Sequence, residues 1–485
     1  MRILMISPEV SPFIKEGGLA DVVGALPKAL AALGHDVRVV CPRHGGLSVE
    51  SSWNRRDGIL FVPSGFETHY AAVWETFLDD RGQVPLYFIE YEQFFARGEV
   101  YHGPWGAHED NGERFAFFAR ASLEICSFLG WIPDVVHCHD WTTCLVPVYL
   151  NTLYRGIPLA RTASVLTIHS LEHQGHFPYS VFPYTGLPES VFREDGLESY
   201  GGMNWMKGGL YHATKITTVS PTYAEEIRSP EGGFGLDSVL RFKGGDLIGV
   251  LNGIDTEVWN PEVDPFLKDH YFSFEDLTGK RRLKALLQRR LGLELRDDIP
   301  LFGVVSRLFH QKGLDLLASV VERMVDQGRM QLAILGSGEA WEERCFQEAA
   351  SRHPGLISAT IGFDEALAHE IIAGSDFFIM PSRFEPCGLG QQYAMRYGTI
   401  PVVRRTGGLA DTVVPYRTDG ATGFLFDDPH PRPLLEKILE ATTLWKHAPE
   451  EIKTLQENGM KRDASWASSA KDYENVYQWA VEAKK

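Results

Sequence analysis

Two long stretches of this chain alternate short β-branched runs with longer helical patterns, and this alternation restricts the possible folds more than any other feature. The first stretch begins with a predicted strand over residues 2–7, an amphipathic helix over 19–33 and a strand over 36–40. The second begins with a predicted strand over 301–306. Strands that alternate with helices are typical of parallel sheets covered by helices. The pattern therefore predicts an α/β protein with two parallel sheets.

The chain is long enough for two or three domains. A turn-rich segment, residues 251–261, separates the two alternating stretches and is a plausible hinge. Further strands are predicted over 84–90, 135–139 and 165–169 in the first stretch, and a helix over 314–327 in the second. Predicted helices over 433–446 and 468–483 complete the chain. The organisation therefore favours two α/β domains.

Composition excludes several classes of function. Lys and Arg number 47 and Asp and Glu 64, which gives a net charge of −17. Such a surface repels phosphate backbones and anionic lipids, so we expect no nucleic-acid partner and no membrane partner. No apolar run approaches the roughly 18 residues of a membrane span. The six cysteines include no Cys-x-x-Cys pair, and this is typical of reduced thiols in a cytoplasmic protein.

A Gly-Gly pair opens the first predicted helix. Residues 15–21 read Lys-Glu-Gly-Gly-Leu-Ala-Asp, and Gly-Gly-Leu-Ala-Asp recurs at 407–411. Glycines at a helix N-terminus let backbone amides approach an anion, and Lys15 adds a full positive charge. We expect two such loops to face one another across a cleft and to bind a diphosphate-bearing ligand. The alternative is a chance repeat in a chain with 47 glycines, with Lys15 an ordinary solvated residue.

Two further groups of polar residues follow predicted strands of the second stretch, where ligands bind in open α/β sheets. Arg307 and Lys312 follow the strand over 301–306. A guanidinium can grip phosphate oxygens as a fork, and an ammonium acts as a point charge. Glu385 follows the strand over 377–380 and precedes Gly388, so its carboxylate is placed to accept hydrogen bonds from sugar hydroxyls. The alternative for Arg307 and Lys312 is a pair of ordinary surface charges, and the alternative for Glu385 is a charge that only stabilises the N-terminus of the following helix.

Eight motifs in order resemble the bacterial glycogen synthase and plant starch synthase family, from Met1 to about Tyr477. The main ones are Lys-x-Gly-Gly-Leu at 15–19, Arg-Leu-x-x-Gln-Lys-Gly at 307–313, Pro-Ser-Arg-Phe-Glu-Pro-Cys-Gly-Leu at 381–389 and Arg-Arg-Thr-Gly-Gly-Leu-Ala-Asp-Thr-Val at 404–413. The others are His-Asp-Trp at 139–141, Lys-Gly-Gly-Leu at 207–210, Thr-Val-Ser-Pro-Thr-Tyr-Ala at 218–224 and Leu-Asn-Gly-Ile-Asp at 251–255. Each motif is weak alone, but the ordered set is specific.

The resemblance implies a GT-B glycosyltransferase with two Rossmann-like, doubly wound domains and a cleft between them. We expect an N-terminal domain at 1–246, a nucleotide-sugar-binding domain at 247–465 and a C-terminal helix at 466–485 that returns to the first domain. The implied reaction transfers glucose from ADP-glucose to the non-reducing 4-OH of an α-1,4-glucan such as glycogen, with retention of anomeric configuration. The partners are thus donor and glucan, and neither a cofactor nor a metal is expected.

The resemblance also implies roles for single residues. Lys15 and the Gly18 amide contact donor phosphate or acceptor, and Arg307 and Lys312 neutralise the departing diphosphate. Glu385 holds the glucose 3-OH. The remaining donor-site residues are expected to line the glucosyl site (Asp140, His169, Asn252) or to lie along the donor (Gly17, Asp21, Cys387, Gly388, Leu389, Gly390). Phe363 is a candidate to stack on adenine, and a core aromatic is the alternative.

The chain departs from the family at three positions. Ser170 stands where the family has Asn after His169, and Gly390 and Gln392 stand where it has Thr and Leu. These changes affect donor identity, acceptor choice and rate. Retention usually uses a nucleophilic carboxylate, yet the position eight residues after Glu385, where many retaining GT-B enzymes have Glu, holds Tyr393. A same-face displacement, in which the leaving phosphate helps to deprotonate the acceptor, is therefore expected by analogy.

Four alternatives remain open. His137, Cys138, His139 and Cys144 have the residue types of a zinc site but no second cluster. A nicotinamide dehydrogenase would need a Gly-x-Gly-x-x-Gly loop, and the sequence after Gly336 and Gly338 does not complete one. A related glucosyltransferase could use UDP-glucose or another acceptor. A silent paralogue could bind glucan or nucleotide-sugar without turnover, although the charged residues that turnover requires are intact.

Overall fold

The computed structural model describes residues 1–79, 81–103, 106–328 and 330–485. The chain divides into two compact units. The first comprises Met1–Val219, Ala224–Gly253 and Trp466–Lys485, and the second Ser220–Tyr223 and Ile254–Ser465. The first unit thus continues past the expected boundary at residue 246, because the strand Leu247–Gly249 pairs in parallel with Lys215–Thr218 of its sheet. The boundary at residues 253 and 254 falls inside the turn-rich segment.

A ten-stranded sheet organises the first unit. Seven neighbouring strands are parallel and in spatial order run Leu247–Gly249, Lys215–Thr218, Ala163–Ile168, Val135–His139, Arg2–Ile6, Asp36–Pro42 and Pro85–Glu90. An antiparallel edge adds Thr68–Phe77, Asn54–Arg55 and Leu60–Pro63. The central strands are buried on both faces, as expected when helices cover a parallel sheet.

Helices cover this sheet. Those of the first unit are Gly18–Ala32, Glu92–Phe95, Asn111–Phe128, Leu145–Thr152, Phe182–Thr185, Trp205–His212, Asp237–Lys243 and Trp466–Lys484, and Pro221–Glu226 is shared by the two units. The short pairs His102–Gly103 with Gly106–Ala107, and His176–Phe177 and Glu198–Ser199 with Gly202–Asn204, are antiparallel. The helix Gly18–Ala32 confirms the helix predicted over 19–33. It buries its leucine and valine stripe against the sheet.

The last helix, Trp466–Lys484, belongs to the first unit. Tyr473 and Tyr477 of this helix lie in the hydrophobic core of the first unit. The Tyr477 hydroxyl is 2.8 Å from Nδ1 of His137 on a central strand. Both tyrosines are fully buried, so the helix is anchored by apolar area as well as by this hydrogen bond. The sequence places these residues at the far end of the chain, but packing makes them part of the first core.

The second unit contains a six-stranded, all-parallel sheet. Its strands in spatial order are Ile357–Ile361, Gln331–Gly336, Leu301–Val305, Phe377–Met380, Ile400–Arg404 and Phe424–Phe426. Its helices are Thr278–Arg290, Leu314–Ala318, Val321–Gly328, Ala340–Arg352, Glu365–Gly374, Gly390–Arg396, Gly407–Thr412, Pro431–His447 and Pro449–Lys461. Leu301–Val305 and Phe377–Met380 are neighbours, so the segments that follow them leave the same edge of the sheet.

Two differences from the predicted elements have physical causes. The helix predicted over 314–327 is interrupted between Ala318 and Val321, where the Ser319 hydroxyl donates to the Leu316 carbonyl instead of leaving it to the helix. The helix Asn111–Phe128 was not predicted, because it is buried on almost every side and its sequence therefore lacks an amphipathic stripe. Across the described residues, no helix is long and apolar enough to cross a membrane.

Candidate active site

The second unit brings the two predicted charged segments together. Lys312 ends a single helical turn after the strand Leu301–Val305, and Glu385 follows the neighbouring strand Phe377–Met380. The loops that carry Lys312 and Glu385 pass very close to each other at Gly313. This residue has φ 65°, and a Cβ atom there would lie 2.2 Å from the Pro381 carbonyl oxygen. A glycine is thus required both by the left-handed backbone and by the close approach of the two loops.

Lys312 and Glu385 form a buried ion pair. The Lys312 ammonium nitrogen lies 2.7 Å from Oε2 of Glu385, and the Ser382 hydroxyl donates to the same oxygen at 2.9 Å. Glu385 is only 5% exposed. A carboxylate at this depth must be paired to remain charged, and Lys312 and Ser382 provide that pairing. The bonds from Lys312 and Ser382 both fall on Oε2, which leaves Oε1 to accept a ligand hydroxyl.

Arg307 stands exposed on the same segment as Lys312, with its guanidinium carbon 5.7 Å from the centre of the Phe309 ring. Arg383, in contrast, makes two hydrogen bonds to the Asp315 carboxylate at 2.6 and 2.7 Å. A fork of this kind fixes a loop rather than offering a free cation. Arg307 is therefore the guanidinium of this segment that a diphosphate can reach.

The segment after Glu385 is held by the helix that follows it. The Gln391 side-chain amide donates to the carbonyl oxygens of Cys387 and Gly388, at 3.1 and 2.9 Å. Gly388 has φ 68°, a left-handed conformation that favours glycine. At Gly390, a Cβ atom would lie 3.1 Å from the Phe378 ring and 3.4 Å from the Met380 sulfur. The space that a threonine would need is therefore partly filled in this chain.

The two copies of Gly-Gly-Leu-Ala-Asp have different environments. A Cβ atom at Gly17 or Gly18 would meet no atom of the described residues within 4 Å, whereas one at Gly408 would lie 1.9 Å from the Cys387 carbonyl oxygen. The Gly408 amide already donates to the carbonyl oxygens of Glu385 and Pro386. The hypothesis that both loops offer amides to an anion is therefore wrong for Gly408. Its glycines instead let the backbone pack against the segment that holds Glu385.

Phe363 follows the strand Ile357–Ile361 and Gly362, and 88% of it is exposed. The alternative of a core aromatic is therefore wrong. An exposed phenylalanine at the carboxyl end of a parallel strand has a free face on which a planar base can stack.

In the first unit, Lys15 pairs with Asp21 across the opening of the first helix, with a nitrogen–oxygen distance of 2.7 Å. The ion pair is largely exposed. A third residue, Glu9, closes this loop, because its Oε2 accepts the amides of Glu16 and Gly17 at 2.7 and 3.0 Å. The Gly17 amide is thus occupied by a protein carboxylate.

Asp140 is held in a strained conformation at the end of the strand Val135–His139. Its φ of 55° is uncommon for a residue other than glycine, and such strain is concentrated at functional sites. Oδ1 accepts the His169 amide at 2.8 Å. Burial raises the pKa of Asp140 to about 7, although the backbone hydrogen bonds oppose the rise. Asp140 is only partly buried, and its contact with solvent limits this rise in its pKa.

His169 lies beside Asp140 and is neutral at physiological pH. Its Nε2 is 3.0 Å from Nδ1 of His139, and burial lowers the pKa of His169 to about 3. The buried Nε2 of His139 makes no hydrogen bond to any residue that the structure describes. Two neutral imidazoles at a strand end can accept or donate hydrogen bonds to hydroxyls without carrying charge.

The remaining predicted residues are placed as follows. Asn252 is buried at the end of the first unit. The Ser170 hydroxyl accepts the Glu172 amide at 3.4 Å, in a local turn. His137 and His139 share a strand face with ring centres 4.2 Å apart, but His137 is bonded to Tyr477 and Thr167. Over the described ranges, no cluster of three or more His, Cys, Asp or Glu side chains could hold a metal ion.

Sequence reasoning missed Glu9 and Tyr101 as members of the first unit's polar group. The Tyr101 hydroxyl donates to Oε1 of Glu9 at 2.7 Å, and burial raises the pKa of Glu9 above its ordinary value. A glutamate directly after the first strand was the available signal, because strand ends carry ligand-binding side chains. The partner Tyr101 lies 92 residues away and no local pattern points to it.

Comparisons with known proteins agree with this geometry. Residues 2–242 match the family described as the starch synthase catalytic domain, and residues 290–462 match glycosyl transferases group 1. Glycogen synthase 1 of Geobacter sulfurreducens is 45% identical over 482 residues, which cover 98% of this chain and 96% of that protein. The chain belongs to the glycogen and starch synthase family. It is therefore a retaining glycosyltransferase with the GT-B fold, as predicted.

Two further relatives support the same assignment. A glycogen synthase of Streptococcus gordonii is 43% identical and covers 99% of both chains. The catalytic domain of starch synthase IV from Arabidopsis thaliana, solved bound to ADP and acarbose, matches with a TM-score of 0.91 at 36% identity over 99% of both chains. The family resemblance inferred from the eight motifs is thus confirmed over the whole length of the chain.

Proposed function

We propose that this glycogen and starch synthase family member transfers glucose from ADP-glucose to the non-reducing 4-OH of an α-1,4-glucan and retains the anomeric configuration. The observation that carries the proposal is the buried pair of Lys312 and Glu385, with Arg307 exposed on the same segment. It combines cations for a diphosphate with a carboxylate for a sugar hydroxyl in one unit.

Charge separation is the main barrier of the reaction. When the anomeric bond breaks, negative charge develops on the diphosphate and positive charge on the sugar. Cations that are already fixed in place stabilise the diphosphate without reorganising. Lys312 is fixed by Glu385, and Arg307 extends from the same strand end. We assign these two side chains to the departing diphosphate.

Glu385 has two functions in this proposal. Its Oε2 holds Lys312 and Ser382, and its Oε1 accepts a hydroxyl of the donor glucose. Because Lys312 neutralises the carboxylate, Glu385 is a poor nucleophile. Tyr393, at the position where a second carboxylate could stand, is stacked on Trp259 with ring centres 3.8 Å apart. We therefore propose a same-face displacement in which the leaving phosphate helps to deprotonate the acceptor.

Asp140 and His169 of the first unit are assigned to the glucosyl hydroxyls. His169 is uncharged, so it orients a hydroxyl rather than stabilising an anion. Lys15 and the Gly18 amide remain assigned to phosphate or acceptor, and Asn252 to hydroxyls. We propose that no metal or cofactor takes part, because Arg307 and Lys312 already supply the positive charge that a metal would bring to a diphosphate.

The choice of an adenine donor rests on two observations. The Arabidopsis starch synthase IV structure was solved with ADP and acarbose, and Phe363 of this chain offers an exposed ring. We also propose a cytoplasmic location. All six cysteines lie in the described residues, none of them forms a disulfide, and five are buried, which suits a reducing compartment.

Radiolabelled donor and glycogen test the proposal directly. Purified protein is given ADP-glucose or UDP-glucose with glycogen, with and without EDTA. Glucose incorporated from ADP-glucose in the presence of EDTA supports the donor, the acceptor and the metal-free mechanism together. Incorporation from UDP-glucose alone, or into a non-glucan acceptor alone, assigns the chain to the related glucosyltransferases. Binding without incorporation from either donor identifies a silent paralogue.

A further inference from the structure

The second unit contains a cavity of about 510 Å³ that lies outside the residues assigned to the donor. It is lined by the last turn of the helix Gly390–Arg396, by the end of the helix Pro449–Lys461 and the residues after it, and by residues near Ile254. Its volume is within the range of roughly 300–1,000 Å³ that small-molecule sites occupy. The cavity can therefore hold a ligand the size of a sugar or a nucleoside.

Positive charge predominates in this cavity. Arg396, Lys461 and Arg462 line it, against Glu262 and Asp463, so the lining carries 3 − 2 = +1 in a chain whose net charge is −17. Asp463 is also engaged, because its carboxylate accepts the Ser465 amide at 3.0 Å. An anionic ligand meets a favourable potential here that most of the surface does not offer.

Arg396 is the central observation. Its Nε is buried and makes no hydrogen bond to any residue in the described ranges. An unsatisfied buried N–H of a charged group is costly, and such groups in native structures are often completed by an ordered water or an ion. The planar guanidinium matches two oxygens of a phosphate.

The two neighbouring cations are held in position by the protein. The Lys461 ammonium lies 3.1 Å from the Glu457 carboxylate, which is outside the cavity lining, and 4.7 Å from the centre of the Phe274 ring, which is part of it. The Arg462 guanidinium donates to the Thr412 carbonyl oxygen. Both side chains are therefore ordered before a ligand arrives, which lowers the entropy cost of binding.

We propose that this cavity is a binding site for a phosphomonoester carried by a small polar molecule, such as a hexose phosphate or a nucleoside monophosphate, with Arg396 as its main phosphate ligand. A ligand in this cavity contacts the segments that connect the two units and the helix that begins in the predicted donor segment. Ile254 and Ser465, the residues at which the chain passes from one unit to the other, both line the cavity, and the Ile254 amide donates to the Ala464 carbonyl oxygen at 2.8 Å. The helix that ends at Arg396 begins at Gly390, in the predicted donor segment.

Binding is measured by titration calorimetry on the full chain with glucose 1-phosphate, AMP and orthophosphate as probes and with glucose as the uncharged control. Saturating ADP is present to occupy the donor site. We expect at least one phosphomonoester to bind, and R396Q to weaken its Kd by about tenfold or more, as loss of a charge-assisted hydrogen bond requires. Which probe binds distinguishes a sugar phosphate, a nucleotide and free phosphate.

Three further variants keep the test decisive. K461Q, at a half-exposed side chain, is expected to weaken binding less than R396Q does, and it replaces R396Q if the latter unfolds at a lower temperature. R432Q, at an exposed arginine outside the cavity, and K312Q, in the donor group, are expected to leave binding unchanged. Equal affinity in R396Q and wild type, loss of binding in K312Q, or no binding by any probe up to about 10 mM overturns the proposal.

Discussion

The Lys312 ammonium nitrogen lies 2.7 Å from Oε2 of Glu385, and 73 residues of chain separate the two. The pair joins a cation assigned to the diphosphate with a carboxylate assigned to the sugar. Each side chain is needed by the other, because Glu385 is 5% exposed and an unpaired carboxylate at that depth is unfavourable. Substitution of either residue is therefore expected to disturb the contacts of both the diphosphate and the sugar of the donor.

Replacing Lys312 by Gln is expected to lower kcat for glucose transfer by about tenfold to hundredfold, since a charge-assisted hydrogen bond contributes ~1.5–3 kcal/mol. KM is expected to change less, because the cation acts on charge that develops during bond breaking. Steady-state kinetics with the nucleotide-sugar donor measure both. Lys437→Gln, which removes a surface ion pair with Glu440, is the matched control and leaves kcat unchanged. A K312Q enzyme with wild-type kcat contradicts the assignment.

The repeated Gly-Gly pair allows a comparison of equivalent substitutions. Gly408→Ala is expected to lower the free energy of unfolding by about 2–4 kcal/mol, because the new Cβ atom would lie 1.9 Å from a backbone oxygen and the loop must shift. Gly18→Ala is expected to be neutral or to stabilise by up to about 1 kcal/mol, because its Cβ atom enters open space in the first turn of a helix. Urea unfolding of both variants measures the difference, and equal losses contradict the distinction.

Asp140 is expected to make stability depend on pH. Burial raises its pKa from 3.8 to about 7, so the folded protein binds the proton more tightly than the unfolded chain. The resulting contribution to the free energy of unfolding is fully present below pH ~4 and is lost as the pH rises through ~7. Because the residue keeps some exposure, we expect Asp140→Asn to gain about 2 kcal/mol relative to wild type between these limits.

Denaturant unfolding at a series of pH values measures this gain. Asp57→Asn, at an exposed position, is the matched control, and its stability relative to wild type is expected to stay constant with pH. If the difference between D140N and wild type is also constant with pH, the raised pKa of Asp140 is contradicted.

Phe363 is expected to matter for the donor but not for folding. Phe363→Ala removes a side chain that is 88% exposed, so the unfolding temperature should not change. If the ring stacks on adenine, KM for ADP-glucose rises by about threefold to tenfold, as the ~0.5–1.5 kcal/mol of an aromatic pair requires. Phe66→Ala, at a 79% exposed position of the first unit, is the control. An unchanged KM in F363A removes Phe363 from the donor site.

Much of the fold follows from periodicity. The strands Val135–His139 and Phe377–Met380 coincide with the predicted segments, since buried parallel strands appear as short apolar runs between helical patterns. Helices without a polar face are harder to predict from the sequence. The buried helix Asn111–Phe128 has no stripe to detect.

The residue types of the candidate site were predicted at the ends of strands. The hydrogen bonds and ion pairs between these residues were not predicted. Nothing local distinguishes the open Gly17-Gly18 pair from the closed Gly407-Gly408 pair, because the five letters are identical. Their difference arises because the segment from Glu385 to Cys387 packs against Gly407 and Gly408, whereas no described residue packs closely against Gly17 or Gly18. Glu9 was missed because its role depends on how its own loop folds back, which brings the amides of Glu16 and Gly17 to it, and on the Tyr101 hydroxyl of a distant loop.

The alternation of strands and helices, the family, and the charged residue types at the strand ends could all be inferred from the order of the residues alone. The folded structure was needed to show that Lys312 pairs with Glu385, that the Gly408 amide already donates to carbonyl oxygens, and that the buried Nε of Arg396, beside a cavity, has no hydrogen-bond partner in the described part of the chain. The reason is physical. Periodicity is a property of neighbouring residues, whereas hydrogen bonding and burial depend on which distant strands the sheet places side by side.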